Sequence, residues 1–283
     1  MSETLRERFE REMLIRGYAD RTRASYAANV SLMVRRTGLH PAHMTEEDVS
    51  AYLASLLNDY NVSASTYRQH ATAIRLFFLL VLDRRYKSLA DARPKREQKL
   101  PSVPTVEEVR RLIRAVRSPA HRMAITLAYS CGLRSGELCA ARTDWIEGDG
   151  RILHVHDAKG GKDRLVPLPP RTLELLRQYW RECRPPGPLF FPSRLIPGRS
   201  ITPDAVRRAL LAAAEDANIH RKLKLHSLRH AYATHLHDRG VDLRIIQRYL
   251  GHAHTETTAI YARLGVPAEN RAQEALEELT RDL

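Results

Sequence analysis

At 283 residues the chain is long enough for two domains that each bury a core. Its 46 Lys and Arg outweigh 33 Asp and Glu by thirteen charges. That excess favours an extended polyanion as partner, nucleic acid ahead of an acidic membrane surface or a merely well-solvated exterior. Three cysteines, Cys131, Cys139 and Cys183, are an odd number without CxxC spacing. They argue against a disulfide framework or a cysteine zinc site, and fit a reducing cytoplasm. The opening MSETLRERFEREM lacks the apolar core of a secretory signal, and the longest apolar run, IRLFFLLVL at 74–82, is too short to span a bilayer.

Residues 1–93 read as an all-helical unit. Leu5, Phe9, Met13 and Leu14 form a first apolar stripe that stops at Gly17. The segment from Thr22 to Arg36 turns Tyr26, Val30, Met33 and Val34 inward and its arginines outward. Thr45, with Asp48 three residues on, starts a third helix carrying Val49, Tyr52, Leu53, Leu56 and Leu57. Ser65 is expected to cap a fourth that takes IRLFFLLVL into the core. Arg21, Arg23, Arg35, Arg36, Arg68 and Arg75 are candidates for duplex phosphate contacts, a solvated surface being the plainer alternative for each.

Residues 94–104 carry three prolines among basic residues, with no apolar periodicity, and read as an extended linker to a domain spanning 105–283. Thr105 and Glu108 form a capping box for the amphipathic VEEVRRLIRAV. A more buried helix, HRMAITLAYSC, ends at Gly132, and Arg134 stands at the turn into SGELCAAR, with Glu137 placed to fix that region. RILHVH and RLVPL have strand composition and flank DAKGGKD, a hairpin turn bearing Lys159 and Lys162. PRTLELLRQYWREC at 170–183 is a helix with Leu173, Leu176 and Trp180 near one face. A proline-rich loop follows, and Thr202 with Pro203 starts the next helix. The whole reads as mainly α with a small β-hairpin or sheet, an α+β chain.

The densest stretch is HSLRHAYATHLHDRGVDLRIIQRYLGHAHTETTAIY, residues 226–261. Leu228, Ala231, Leu236, Ile245, Ile246 and Leu250 recur at helical spacing, and Gly240 and Gly251 read as helix stops. His226, Arg229, His252 and Tyr261 thereby become candidates for one site: cations for a phosphate, imidazoles for proton transfer and a phenol as nucleophile. His226 and His230 are four apart, a spacing that also suits a metal, but no HExxH is present and metal binding is not expected. His230 reads instead as a supporting neighbour. Residues 268–283 form a terminal helix whose stripe of Ala272, Ala275, Leu276, Leu279 and Leu283 suits packing on its own domain or on a neighbour.

GLRSGEL at 132–138, AKGGKDRLVPL at 158–168, HSLRH, LGH and the tyrosine nine residues after that histidine resemble, in order, the motifs of tyrosine recombinases, the integrase and Xer-like family. The resemblance covers roughly residues 105–265. It implies a helical, SAM-like core-binding domain at 1–93 and a catalytic domain at 105–283 whose C-terminal helix docks on the next subunit of a ring. It implies Arg134, Lys159, His226, Arg229 and His252 as catalytic residues and Tyr261 as nucleophile, with Lys162 touching DNA. The reaction would be site-specific cleavage and rejoining through a 3′-phosphotyrosine and a Holliday junction, with no cofactor, metal or ATP. Its partner would be double-stranded DNA with an inverted-repeat core site, bound by a homo-tetramer that is monomeric or weakly associated when free, with an accessory protein as an open possibility. A cytoplasmic, nucleoid-associated enzyme of a bacterial chromosome or mobile element fits. A type IB topoisomerase-like enzyme and a catalytically silent architectural protein are the alternatives.

Overall fold

The computed structural model describes residues 4–86, 103–156, 163–251 and 266–283, with side chains in the last segment from residue 270 onward. The chain divides into two compact units, Met1–Lys99 and Leu100–Leu283.

The first unit holds α1 (Leu5–Ile15), α2 (Asp20–Thr37), α3 (Glu46–Asn58) and α4 (Ala64–Leu82), with a short 3-10 turn at Pro41–His43. Each start has a local cause. Thr4 and Glu7 close a capping box on α1, and Thr45 and Asp48 do the same for α3. Ser63, not Ser65, caps α4: its hydroxyl accepts from the Thr66 backbone, leaving Ser65 inside the first turn. Phe9, Met13, Met33, Val49, Leu56, Ile74, Phe77 and Phe78 fill the core, with Phe9 edge-on to Phe77 at 5.3 Å. Leu14 and Leu57, expected inside, are exposed. Each follows the residue that takes the core position, Met13 or Leu56, and one helical step of about 100° carries it out of the buried arc.

The second unit begins with α5 (Val106–Ala115) and α6 (Pro119–Ser130), followed by the single-turn α7 (Ser135–Ala140). A three-stranded antiparallel sheet in the order β1 (Ile146–Glu147), β2 (Ile152–Val155), β3 (Arg164–Pro167) comes next. The two predicted strands are β2 and β3, registered with Val155 opposite Arg164, and the two-residue β1 is an addition that composition did not signal. Then follow α8 (Pro170–Cys183), α9 (Pro203–Asp216), α10 (Leu225–Asp238), α11 (Leu243–Leu250) and α12 (Val266–Thr280). On α8 Tyr179 takes the inward place expected of Trp180 and donates its hydroxyl to the Phe190 carbonyl at 3.0 Å. Trp180 is left half-exposed, roofing a groove of about 640 Å³ with Ile146, Leu173 and Phe190.

α6 is central because its second half, Met123–Ser130, is buried throughout. A helix so enclosed leaves the residues just beyond it with a fixed exit, which positions Arg134. α10 and α11 form a second cluster in which Tyr232, Leu236, Ile245, Ile246 and Tyr249 meet Ala272, Ala275, Leu276 and Leu279 of α12. The stripe expected to dock on a neighbouring subunit is therefore covered by its own domain. Arg110–Asp282, Arg151–Glu277 and Arg239–Glu278 ion pairs flank the same helix. Among the described residues no helix is long and apolar enough to cross a membrane.

Leu276 is 2% exposed and Leu14 56%. Leu276→Ala should thus lower the unfolding free energy by about 2–5 kcal/mol, against a change within about 0.5 kcal/mol for Leu14→Ala. Urea midpoints measure both, and equal effects would remove α12 from the core.

Candidate active site

The site is built where four elements end. α6 stops at Cys131, and Gly132 follows with a left-handed φ of +59°. A methyl group there would lie 2.8 Å from both the Tyr232 ring and the Leu250 side chain, so only glycine allows the turn to press against α10 and α11. Arg134 then N-caps α7, and its backbone N–H donates to Glu137 Oε2 at 2.8 Å. Its guanidinium donates from Nη1 to Glu137 Oε1 at 2.7 Å and from Nη2 to the Gly251 carbonyl at 2.9 Å.

Arg229 projects from α10 and is 2% exposed. It donates from Nη1 to the Gly132 carbonyl at 2.7 Å and from Nη2 to the Leu250 carbonyl. Arg164, which opens β3, points inward against the same place. Its Nη1 and Nη2 form a fork on both oxygens of Glu137, at 2.7 and 2.8 Å, and its Nε donates to the Tyr249 carbonyl at 2.9 Å. Three consecutive carbonyls at the end of α11, those of Tyr249, Leu250 and Gly251, thus each receive a different arginine. The partial negative charge of a helix C-terminus suits three cations gathered there.

Burial opposes ionisation of Glu137, but hydrogen bonds from Arg164 and Arg134 outweigh it and hold the carboxyl down to about 2. Burial, with Arg134 and Arg164 close by, lowers Arg229 to about 10, which leaves it charged at neutral pH. Three guanidiniums against one carboxylate leave a net charge of two positives (3 − 1). Two of the five N–H groups of Arg134 and two of those of Arg229 are spent on the bonds above, so both retain donors for an anion. His226, exposed at the start of α10, meets the half-buried His230 ring edge-on at 4.4 Å between centroids. Among the described residues no group of three or more His, Cys, Asp or Glu side chains is arranged to hold a metal.

The chain has known relatives. The phage integrase family model matches residues 103–266, which include all six predicted catalytic positions. The phage integrase N-terminal SAM-like domain matches residues 5–88. The chain belongs to the phage integrase family, the tyrosine recombinases. Among similar proteins, a putative integrase/recombinase y4qK of Sinorhizobium fredii is 36% identical over 261 residues, covering 92% of this chain and 84% of that protein. The tyrosine recombinase XerD of Caulobacter vibrioides is 36% identical over 244 residues, 80% of this chain and 79% of its own. In fold, the chain resembles a lambda integrase tetramer bound to a Holliday junction, with a TM-score of 0.69 at 20% identity over 90% of this chain and 79% of that one.

Of the predicted recombinase residues, the structure brings Arg134, Arg229 and Glu137 together around the end of α11, with His226 and His230 on α10. Lys159, Lys162, His252 and Tyr261 lie outside the described residues. The six candidate arginines of the first unit divide. Arg23 donates to the Tyr18 carbonyl and pairs with Asp20, Arg68 donates back to the Ala64 carbonyl, and Arg36 lies 3.5 Å over the Tyr60 ring. Arg21, Arg35 and Arg75 are exposed, as is Arg36 beside Tyr60.

Arg164 is the member to which motif reading gave no role, although it lies in AKGGKDRLVPL, because it looks like the first letter of an apolar strand. A signal was present: strand alternation puts Arg164 on the inward side with Val166 and turns Leu165 out. An arginine in an inward register demands a buried acid.

The Glu137 carboxyl titrates below its unfolded value, so its contribution to stability is complete above the ordinary carboxylate range and lost as pH falls through the folded value. Glu137→Gln should destabilise the neutral-pH protein by about 3–5 kcal/mol, as expected when a buried pair loses one partner. That gap should narrow as pH is lowered from about 5 toward about 2. Chemical denaturation across this range is the measurement, and a pH-independent gap would mean that Glu137 does not act as a buried anion.

Proposed function

We propose that the protein is a site-specific DNA recombinase in which Tyr261 attacks a phosphodiester, forming a 3′-phosphotyrosine and releasing a 5′-hydroxyl. The observation that carries this reading is the cluster of guanidiniums around Glu137, those of Arg164 and Arg229 buried and that of Arg134 partly so, with two positive charges in excess, fixed on the residues just before His252. A phosphodiester brings one negative charge and gains another as the phenol oxygen adds, so the cluster matches the transition state better than the ground state. In this reading Arg134 and Arg229 hold the nonbridging oxygens. His226 and His252 donate to the phosphate or take the phenol proton, and Lys159 delivers a proton to the departing 5′ oxygen. The phosphotyrosine keeps the energy of the broken bond, so religation needs neither ATP nor a metal.

Strand exchange between two duplexes follows from doing this twice, through a Holliday junction, within a homo-tetramer on an inverted-repeat core site. The related lambda integrase forms a tetramer on a Holliday junction, and the net charge of +13 favours DNA as the scaffold of assembly. The first unit, with Arg21, Arg35 and Arg75 exposed, grips backbone phosphates in this reading. Free in a bacterial cytoplasm, the chain is monomeric or weakly associated. In an assembled ring α12 reaches a neighbour only by leaving its seat on α10 and α11.

The test compares DNA trapped covalently on wild-type protein and on Tyr261→Phe, isolated from the host under denaturing conditions and sequenced. Adducts concentrated at one short inverted repeat, and absent from Tyr261→Phe, are expected. Scattered adducts lost in the variant would favour a topoisomerase-like enzyme, and adducts equal in both would remove Tyr261 as nucleophile. Arg134→Ala and Arg229→Ala should each cut adduct formation by roughly 10²–10³-fold, the loss typical of one oxyanion donor.

A further inference from the structure

We infer that Arg164 is a positioning residue of the cleavage site, holding both the carboxylate that orients Arg134 and the helix end that leads to His252. The inference rests on the recombinase reading and goes beyond it, since Arg164 lies within the AKGGKDRLVPL stretch but is none of the six predicted catalytic residues.

Its geometry is hard to explain as packing alone. Arg164 and Glu137 are both nearly excluded from solvent, with side chains 6% and 5% exposed. A buried ion pair gives little net stability over apolar residues of similar volume, so its presence points to a demand for fixed geometry. Both Nη atoms are committed to Glu137, which leaves Nε to reach the Tyr249 carbonyl. One planar group thereby sets the distance between α7 and the last turn of α11. The aliphatic stem is used as well. A methyl group on Gly251 would lie 2.6 Å from Arg164 Cδ, so the stem occupies the space that Gly251 leaves open.

Removing Arg164 changes what Arg134 experiences. Glu137 would then have Arg134 as its main ion partner, and a two-pronged pair between them would draw the guanidinium off the Gly251 carbonyl and off a bound phosphate. The cluster would also fall from two net positives to one. The charged groups facing Glu137 are Arg134 at the head of α7, Arg164 from β3 and Arg229 from α10. Tyr232 of α10 and Cys131 at the end of α6 are titratable neighbours that burial keeps neutral, Tyr249 of α11 is a further titratable neighbour of Tyr232, and the end of α11 contributes the carbonyls of Tyr249, Leu250 and Gly251. With Arg164 gone, desolvation of Glu137 is opposed mainly by Arg134, and protonation moves toward neutral pH.

The experiment uses the full chain and a duplex carrying the sequence trapped on wild-type protein, with single-turnover adduct formation followed from about pH 5 to about pH 8. Arg164→Met keeps the stem and removes the charge. It should slow adduct formation on the order of tenfold to a hundredfold, less than loss of a direct oxyanion donor, with duplex affinity changed less than threefold by filter binding. It should also show an acid limb that wild type lacks, and Glu137→Gln added to Arg164→Met should abolish that limb. Arg164→Lys, which keeps charge without the fork, should fall between wild type and Arg164→Met. Thermal melting of each variant keeps folding in view, and the double variant, freed of an unpaired buried carboxylate, guards against collapse of the single one. Arg164→Met cutting at the wild-type rate with the wild-type pH profile overturns the inference and leaves the recombinase reading standing. So does a loss that tracks melting temperature alone, with no acid limb. Wild-type protein that forms no adduct overturns the recombinase reading itself, and the inference with it.

Discussion

The carboxylate of Glu137 lies between the guanidiniums of Arg134 and Arg164 in a place that water scarcely reaches. A lone buried carboxylate would be costly, and so would a lone buried guanidinium such as Arg229. Each is tolerated because the others are there. The arrangement therefore forms as a unit or not at all, and its members come from α7, β3, α10 and the end of α11. Elements that pack through apolar contacts can slide by fractions of an ångström at little cost. Elements tied by two-pronged, charge-assisted hydrogen bonds cannot, because distance and angle are both specified. The strength of this network thus lies in geometry more than in net stability.

The end of α11 supplies the second half of the constraint. Its three final carbonyls have no partners within the helix, and three arginines take them. Gly251 closes the helix in the left-handed region, at φ +62°, with no room for a side chain beside Arg164. Gly132 does the equivalent at the end of α6, where its carbonyl receives Arg229 and its missing side chain admits Tyr232 and Leu250. Two glycines far apart in sequence let two chain ends approach the same guanidinium. The arginines of the cluster are thereby fixed by backbone atoms, whose positions depend on whole helices and not on side-chain rotamers.

How much of this was legible varies with the kind of signal. Helix starts were, because capping chemistry is local: Thr45 with Asp48 and Thr105 with Glu108 appear as their spacing suggests. Ser63 and Ser65 show the limit, since both are caps by composition and only the seating of α4 chooses between them. Tyr179 and Trp180 are adjacent aromatics, and the hydrogen bond from Tyr179 to Phe190 decides which one turns in. At the site, Arg134, Glu137 and Arg229 could be read from motifs. The role of Arg164 could not, although it lies in the 158–168 motif, because its partner lies 27 residues away and its meaning depends on strand register. The inward packing of α12 was also open, since an apolar stripe does not state what covers it. The surface arginines were least legible of all: Arg23, Arg36 and Arg68 look like Arg21, Arg35 and Arg75 in sequence, yet make contacts within their own unit.

That contrast bears on how such a protein divides its labour. In the proposed function an exposed arginine on the first unit meets phosphate through solvent, and each contact is weak, screened by salt and replaceable by a neighbour. Such contacts gather affinity along a duplex without fixing any one phosphate. The buried arginines of the second unit do the reverse. They contribute little to long-range attraction, being few and partly neutralised by Glu137, but they leave one location where excess positive charge is held rigidly. In the proposed function a phosphodiester drawn in by the many surface charges gains most at that location, and gains more as its charge grows during attack. Because the donors are already oriented by carbonyls and by Glu137, little reorganisation accompanies the step in either direction. For an enzyme that must reseal what it cuts, the same preorganised site serves cleavage and religation alike.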